Sequence, residues 1–387
     1  MSVEIRQITP TKSALTRFVE YPIDYLYADN DHYVPALVID EVDTLRPDRN
    51  PAFDFCDSIY FMAYLDGQPV GRIAGIENKA VNERTGKREV RFGFVDFIDD
   101  DEVVDALFGA VEQWARGRGL DTMVGPMGFT DMDREGMLVE GFDYDATQAE
   151  IYNHAYYPRH MERMGFEKDA DWLGMLIYVP DEIPPKMVRV ADIVRRRYNV
   201  DNVHFTSRKK LVKQYGDAIF SLINEAYDSL FGYSPLTKRQ IDHYIDMYLP
   251  FLPLDDISLI VRRDEGHDGE LVGVGIAIPS LSRALIKSRG RLLPFGWWHL
   301  LRAFKGENPV VDLMLVAIKP EYQSKGVNAL LFTDLIPSFQ RHGYKVAESN
   351  PELEANSKVL TQWDYFETKP TKRRRAYIKR LDGQSKE

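Results

Sequence analysis

From Lys319 to Leu331 the chain reads KPEYQSKGVNALL. An apolar run ends at Ile318, a proline and a short polar turn with one glycine follow, and an apolar pattern with helical spacing begins. If that helix starts near Gly326, its first main-chain N–H groups have no internal acceptors and point outward with the positive end of the helix dipole. An anionic pyrophosphate satisfies both needs. Gly326 permits close backbone approach, Lys325 adds a charge, and Gln323 can hold the loop in shape. A plain strand-to-helix connection has the same outline, so these residues alone leave both readings open.

Other chemistry-bearing residues are sparse. Cys56 is the single cysteine and has no histidine near it in sequence, so a small buried hydrophobe is expected and an intramolecular disulfide is excluded. The eight histidines show no ligand spacing, so no metal site is expected. In FIDDDEVVD the acids Asp99 to Glu102 repel a phosphate, and three consecutive acids cannot all face one ion, which predicts a solvated helix N-terminus. GPMGFTDMDREGMLVEGFD, from Gly125 to Asp143, reads as a structured loop, either a substrate-side wall or packing between the halves. The basic run TKRRRAYIKR, Thr371 to Arg380, reads as an edge strand with alternating exposed charges rather than a nucleic-acid surface. LLPFGWWHLL, Leu292 to Leu301, reads as a buried helix or partner contact ahead of a membrane or acyl-chain contact.

The elements that must position these residues occur twice in the same order. A short strand, VEIRQI, and a helical region interrupted by Pro22 open the first half; a strand from Val203 and the helical RKKLVKQYGDAIFSLINEAY open the second. A hairpin follows in each, turning at Asp66-Gly67 in the first. Next come a strand and a helix, VRFGFVDF before DEVVDALFGAVEQWARGRG and VVDLMLVAI before GVNALLFTDLIPSFQRHG, each helix ending near Gly119 or Gly343. Another strand, an asparagine-led helix from Asn153 or Asn356, and a last strand complete each unit. This is an internal duplication of one mixed α/β unit: residues 1–185, a linker at 186–202 with a helix from Lys186, and residues 203–387.

The net charge of −11 over 387 residues removes a global polyanion-binding footprint, so no DNA partner is expected. No apolar run approaches the roughly 18 residues that span a bilayer. MSVEIRQITP lacks a basic region followed by an apolar core, and with one cysteine the expected location is cytoplasmic.

LVAIKPEYQSKGVNALL, set within strand, helix, hairpin, strand, loop and helix, resembles the GCN5-related N-acetyltransferase (GNAT) superfamily. Its loop pattern is Gln or Arg, two residues, Gly, one residue, then Gly or Ala. Gln323 and Gly326 match, and Asn328 replaces the final small residue. The duplicated chain resembles the tandem proteins of that superfamily. The resemblance implies an α+β mixed fold of two tandem GNAT-like domains, each a mostly antiparallel sheet flanked by helices, with acetyl-CoA bound in the second domain only. It implies that Gln323, Ser324, Lys325, Gly326, Val327 and Asn328 hold the pyrophosphate, that Val316, Ala317 and Ile318 offer a strand edge to the pantetheine arm, and that Asn356 contacts the coenzyme further on. The leaving-group acid of many relatives is a tyrosine where this chain has Trp363, so Tyr365 is the substitute candidate; Glu348, and after it Asp312, are candidates for deprotonating the amine. The implied activity is transfer of an acetyl group to a primary amine of a small molecule or peptide. The alternatives are transfer of a longer acyl or an aminoacyl group, the latter along a basic channel at Arg373 to Arg375, or a non-catalytic binding protein.

Overall fold

The computed structural model describes residues 2–248, 251–305, 309–356 and 361–381. In chain order the elements are β1 (Glu4–Gln7), α1 (Lys12–Tyr21), α2 (Val38–Thr44), β2 (Cys56–Leu65), β3 (Gln68–Asn78), α3 (Lys79–Thr85), β4 (Glu89–Phe97), α4 (Asp101–Gly117), β5 (Thr122–Gly125), β6 (Met137–Glu140), α5 (Tyr157–Arg163) and β7 (Glu167–Tyr178). There follow α6 (Pro185–Tyr198), β8 (Val200–Val203), α7 (Arg208–Tyr227), α8 (Lys238–Tyr248), β9 (Ile257–Arg262), β10 (Leu271–Pro279), α9 (Ser282–Ser288), α10 (Gly296–Phe304), β11 (Val310–Ile318), α11 (Asn328–His342), β12 (Val346–Ser349), β13 (Glu352–Leu353) and β14 (Thr368–Arg380).

Contacts divide the chain into two compact units. The first holds Met1–Leu173, Leu281–Leu300 and the chain from Thr371 on; the second holds Gly174–Ser280 and Leu301–Pro370. These bounds differ from the expected 1–185, 186–202 and 203–387. The expected linker is helix α6, whose Met187, Ala191 and Val194 are buried in the core of the second unit. The last strand, expected in the second half, pairs with β5 of the first unit through Tyr377↔Gly125 to Arg380↔Thr122.

Each unit is built on one mostly antiparallel sheet. In the first the strand order is β1-β2-β3-β4-β5-β14, with only β4 and β5 parallel. In the second it is β7-β12-β11-β10-β9-β8, with only β11 and β12 parallel. The duplication extends to detail. In each unit the first strand of the parallel pair carries a bulge, near Phe94 in β4 and at Met314 in β11, so that one extra residue opposes the neighbouring hairpin strand. Asp66 and Gly67 turn the first hairpin at φ 50° and 81°, as a two-residue turn of this hand requires.

Helix faces fall where their apolar spacing puts them. Val103, Val104, Leu107, Phe108 and Val111 of α4 are buried, and Leu330, Leu331 and Phe339 of α11 are buried with Val327 just before it. Each such side chain contributes roughly 1.5–3 kcal/mol of transfer free energy. Helix α11 runs on through Pro337 and closes on Gly343 at φ 76°. Asn153 does not begin a helix: its amide pairs with both main-chain groups of Leu138 at 2.6 and 3.0 Å, and α5 starts four residues later.

The terminal strand also corrects the expectation of exposed edge charges. Lys372 and Arg374 are buried and close on the fully buried Glu150 at 2.6 and 2.8 Å. Arg373 and Arg375 close on Asp171 at 3.0 and 2.8 Å, with Asp171 itself buried. Burial alone raises the Glu150 carboxyl, but Arg374 and Lys372 outweigh it and hold it below the usual range. A strand whose cations must find these two carboxylates has its place fixed in the first unit. Glu150→Ala strands two buried cations and should cost about 3 kcal/mol or more in urea unfolding. A loss below about 1 kcal/mol would show that the cluster does not fix the strand.

Candidate functional site

The site is built where β11 parts from β12. The parallel ladder runs from Val310↔Val346 to Leu313↔Ser349, and β12 ends there. Beyond it β11 continues for five residues, paired only with β10. Lys319 N–H donates to Val272 O, which sets the alternation of the antiparallel ladder. By that alternation Leu315 and Ala317 turn their main-chain groups to β10, and Val316 and Ile318 turn theirs to the open side. The two outward carbonyls are taken within the unit: Tyr227 Oη donates to Val316 O at 2.9 Å, and Gln323 Nε2 donates to Ile318 O at 3.1 Å. Gln323 therefore ties the loop to the strand end.

The loop follows directly. Ser324 and Gly326 lie in the left-handed region at φ 59° and 80°, with a residue between them, an alternation that turns successive N–H groups to one side. The N–H groups of Ser324, Lys325, Gly326, Val327 and Asn328 have no hydrogen-bond acceptor among the described residues, and α11 has no side-chain cap. Lys325 makes no ion pair with a described residue; its ammonium lies over the Tyr198 and Tyr322 rings at 5.3 and 5.8 Å. Helix α6 covers the Cα side of Gly326, where a Cβ would stand 3.0 Å from Val190 and 3.4 Å from Val194.

Asn328, the departure from the loop pattern, turns its side chain aside: Nδ2 donates to Gln362 Oε1 at 2.9 Å. Trp363 Nε1 donates to both carboxylate oxygens of Glu352 at 3.0 Å. Burial raises the Glu352 carboxyl to about 7, with Trp363 and Gln362 pulling the other way. Asn328, Gln362, Glu352 and Trp363 thus form one network joining the start of α11 to β13. Sequence reading missed Glu352 because a carboxylate on a two-residue strand carries no periodic signal; its partner is eleven residues away in the chain.

The remaining candidates are placed as follows. Tyr365 is half-buried with Lys186 Nζ 5.2 Å from its ring. Glu348 stands in the parallel ladder beside Asp312, which is buried. Asn356 N–H donates to Leu353 O; of the helix expected over residues 356–366, residues 357–360 lie outside the described residues and Thr361–Tyr365 forms a 3-10 helix. Cys56 is buried and its thiol is pushed up to about 12, so it is unreactive.

The equivalent place in the first unit is closed twice over. Asp100 caps α4, accepting from Glu102 N–H and Val103 N–H at 2.9 and 3.2 Å. The gap between β4 and β5 is filled by the glycine-rich segment: Met127 N–H donates to Phe92 O at 2.8 Å, and a Cβ on Gly93 would stand 2.2 Å from Met127 O. Arg91 and Asn78 hold Phe129 O at 3.2 and 2.9 Å, and Asp133, raised to about 6 by burial, accepts from Phe129 N–H and Thr130 N–H. Among the described residues no group of His, Cys, Asp and Glu could hold a metal ion.

No family model matches the chain. Over 376 residues it is 27% identical to Protein YghO of Escherichia coli (strain K12), spanning 96% of this chain and 94% of that one. Over 323 residues it is 28% identical to the bacterial ceramide synthase of Caulobacter vibrioides (strain NA1000 / CB15N), spanning 81% and 80%. Among solved structures, the tandem GNAT protein from the clavulanic acid biosynthesis pathway matches with a TM-score of 0.56 at 11% identity, over 99% of this chain and all of that one. The fold is that of the GCN5-related N-acetyltransferase superfamily, in its tandem form.

The Glu352 network has a pH signature. A carboxyl raised in the folded state from 4.5 to about 7 makes the folded protein hold the extra proton, so its contribution to stability is lost as pH rises through that window. Relative to the wild type, Glu352→Gln should gain on the order of 3 kcal/mol between those two pH values, read by urea unfolding. A difference that stays constant with pH would mean that Glu352 titrates normally.

Proposed function

We propose that this chain is an N-acyltransferase that takes an acyl group from a coenzyme A thioester, acetyl-CoA being the simplest donor, and passes it to a primary amine of a small molecule. The donor site is in the second unit. One observation carries the reading: the unbonded amides of Ser324 to Asn328 continue into the outward N–H groups of Val316 and Ile318, a row of donors leading from a pyrophosphate to a pantetheine arm and a thioester carbonyl.

The chemistry follows from that row. The amine nitrogen attacks the thioester carbon, the C–S bond breaks with its electron pair going to sulfur, and the amine loses a proton while the thiolate gains one. An outward N–H of β11 polarises the carbonyl. Glu348 is the candidate base, with Asp312 after it, and Tyr365 is the candidate acid for the thiolate. Lys325 leaves its aromatic neighbours for a phosphate.

The relationship to a protein named as a ceramide synthase favours a long acyl donor and a long-chain amino alcohol as acceptor, because a ceramide is the amide of those two. An aminoacyl-tRNA donor is disfavoured, since Arg373 and Arg375 close on Asp171 and Arg374 is buried on Glu150.

Isothermal titration with acetyl-CoA and with a long-chain acyl-CoA tests the site. Gly326→Asp is a poor probe, because any side chain there strains the backbone and meets α6. Lys325→Glu and Ser324→Asp sit on exposed positions and should each lower coenzyme affinity about tenfold or more. Binding unchanged in both variants, or no binding of either thioester, would remove the donor site. Release of free thiol with amino alcohols but not with amino acids would fix the acceptor class.

A further inference from the structure

Six of the thirteen large apolar side chains left exposed among the described residues lie on one segment, Leu292 to Leu301. Leu293 is 78% exposed, Phe295 69%, Trp297 48% and Trp298 44%, so of the two sequence readings, a buried helix or a partner contact, burial does not hold. Such a cluster on a folded surface marks a partner rather than chance.

The base of the segment is fastened to the first unit. Arg291 reaches Glu20 and Asp24, both at 2.8 Å, and Arg289 reaches Ile23 O and Asp24 at 2.8 and 3.1 Å. Gly290 O accepts from Val38 N–H at 2.9 Å. The gripping segments add two more exposed apolar residues, Tyr25 next to Asp24 and Ile39 next to Val38. The tip closes its own polar groups inward: Trp297 N–H donates to Leu292 O, Trp298 N–H to Phe295 O, and Trp297 Nε1 to Pro294 O. A tip so arranged enters a low-dielectric medium without stranding those donors.

Charge selects the partner. From Lys287 to Lys305 the chain has five basic residues and no acid, within a protein of net charge −11. Arg289 and Arg291 are spent on Asp24 and Glu20, and the exposed Lys287 and Lys305 stand before and after the segment in the chain. Along α10 the exposed stripe passes from Trp297 and Trp298 to Leu301 and Arg302 one turn on, and then to Lys305. Indole rings at the tip, aliphatic groups beside them and cations behind are the order in which a bilayer interface accepts side chains. We propose that Leu292 to Leu301 is a docking element that seats the protein on the surface of an anionic lipid bilayer. No described helix is long and apolar enough to cross a membrane, so the contact is peripheral. The proposal is independent of the transfer chemistry.

Sedimentation of the full chain with vesicles tests it. Phosphatidylcholine containing an equal part of phosphatidylglycerol should carry the protein down, with tryptophan emission shifted to the blue, and pure phosphatidylcholine should carry down less. Added salt should weaken the anionic component. Leu293→Asp with Phe295→Asp should lower partitioning about tenfold or more, and Lys287→Glu with Lys305→Glu should remove the preference for phosphatidylglycerol. Leu293→Asp alone serves if the double variant does not fold. Absence of sedimentation with either vesicle, or equal partitioning of the folded aspartate variant, overturns the proposal. So does self-association that Leu293→Asp abolishes in a protein that ignores vesicles, which would assign the patch to a second copy.

Discussion

Beyond Leu313, β11 has a strand neighbour on one side only, and that constraint organises the second unit. Four residues of parallel ladder hold β11 to β12. At Met314 the extra residue of the bulge changes the register with β10, and Asn350 Nδ2 closes on Met314 O at 2.9 Å where the ladder stops. From there the strand has one neighbour. Its outward carbonyls are met by Tyr227 and Gln323, but a hydroxyl or amide that donates to a carbonyl does nothing for an adjacent N–H. The surplus on that edge is therefore a surplus of donors, the complement of the acceptor-rich ligand proposed for it.

The first unit shows how the same backbone design is closed. It has the parallel pair, the bulge and the following helix, yet Asp100 supplies the acceptor for the helix N-terminus and Met127 supplies the strand neighbour that β5 no longer provides. Gly93 exists for this closure, since Met127 O occupies the place of its Cβ. Among the described residues the second unit keeps the donor-rich strand end open, while the first, closed at that place, holds the last strand of the chain through Glu150 and Asp171.

Much of this was legible in the residues. Hairpins, the long helices, the loop with Gln323 and Gly326, and the acidic end of α4 are local features, and local patterns of period and charge report them well. What was not legible depended on partners distant in the chain. Nothing in TKRRRAYIKR says that Lys372 and Arg374 meet Glu150 more than two hundred residues earlier, so a run of cations reads as a solvated edge. Glu352 acquires its character from Trp363 and from burial, neither of which a single position shows. LLPFGWWHLL reads as a buried helix or a partner contact, because composition does not distinguish a residue buried by its own chain from one left for a partner.

The covering of Gly326 by Val190 and Val194 bears on how such a site would work. A loop with two residues in the left-handed region is costly to hold open, and free in solution it would lose its alternation and scatter its N–H groups. Helix α6 packs against α11 and against the glycine itself, while Gln323 anchors the other end on Ile318. The donors are thus ordered during folding, when the core of the second unit forms around Met187, Ala191 and Val194, and not when ligand arrives. Affinity for an anion then reflects the hydrogen bonds it gains, with little deducted for arranging them. The helix assigned to a linker on its sequence is in this way the element that holds the loop with its N–H groups aligned.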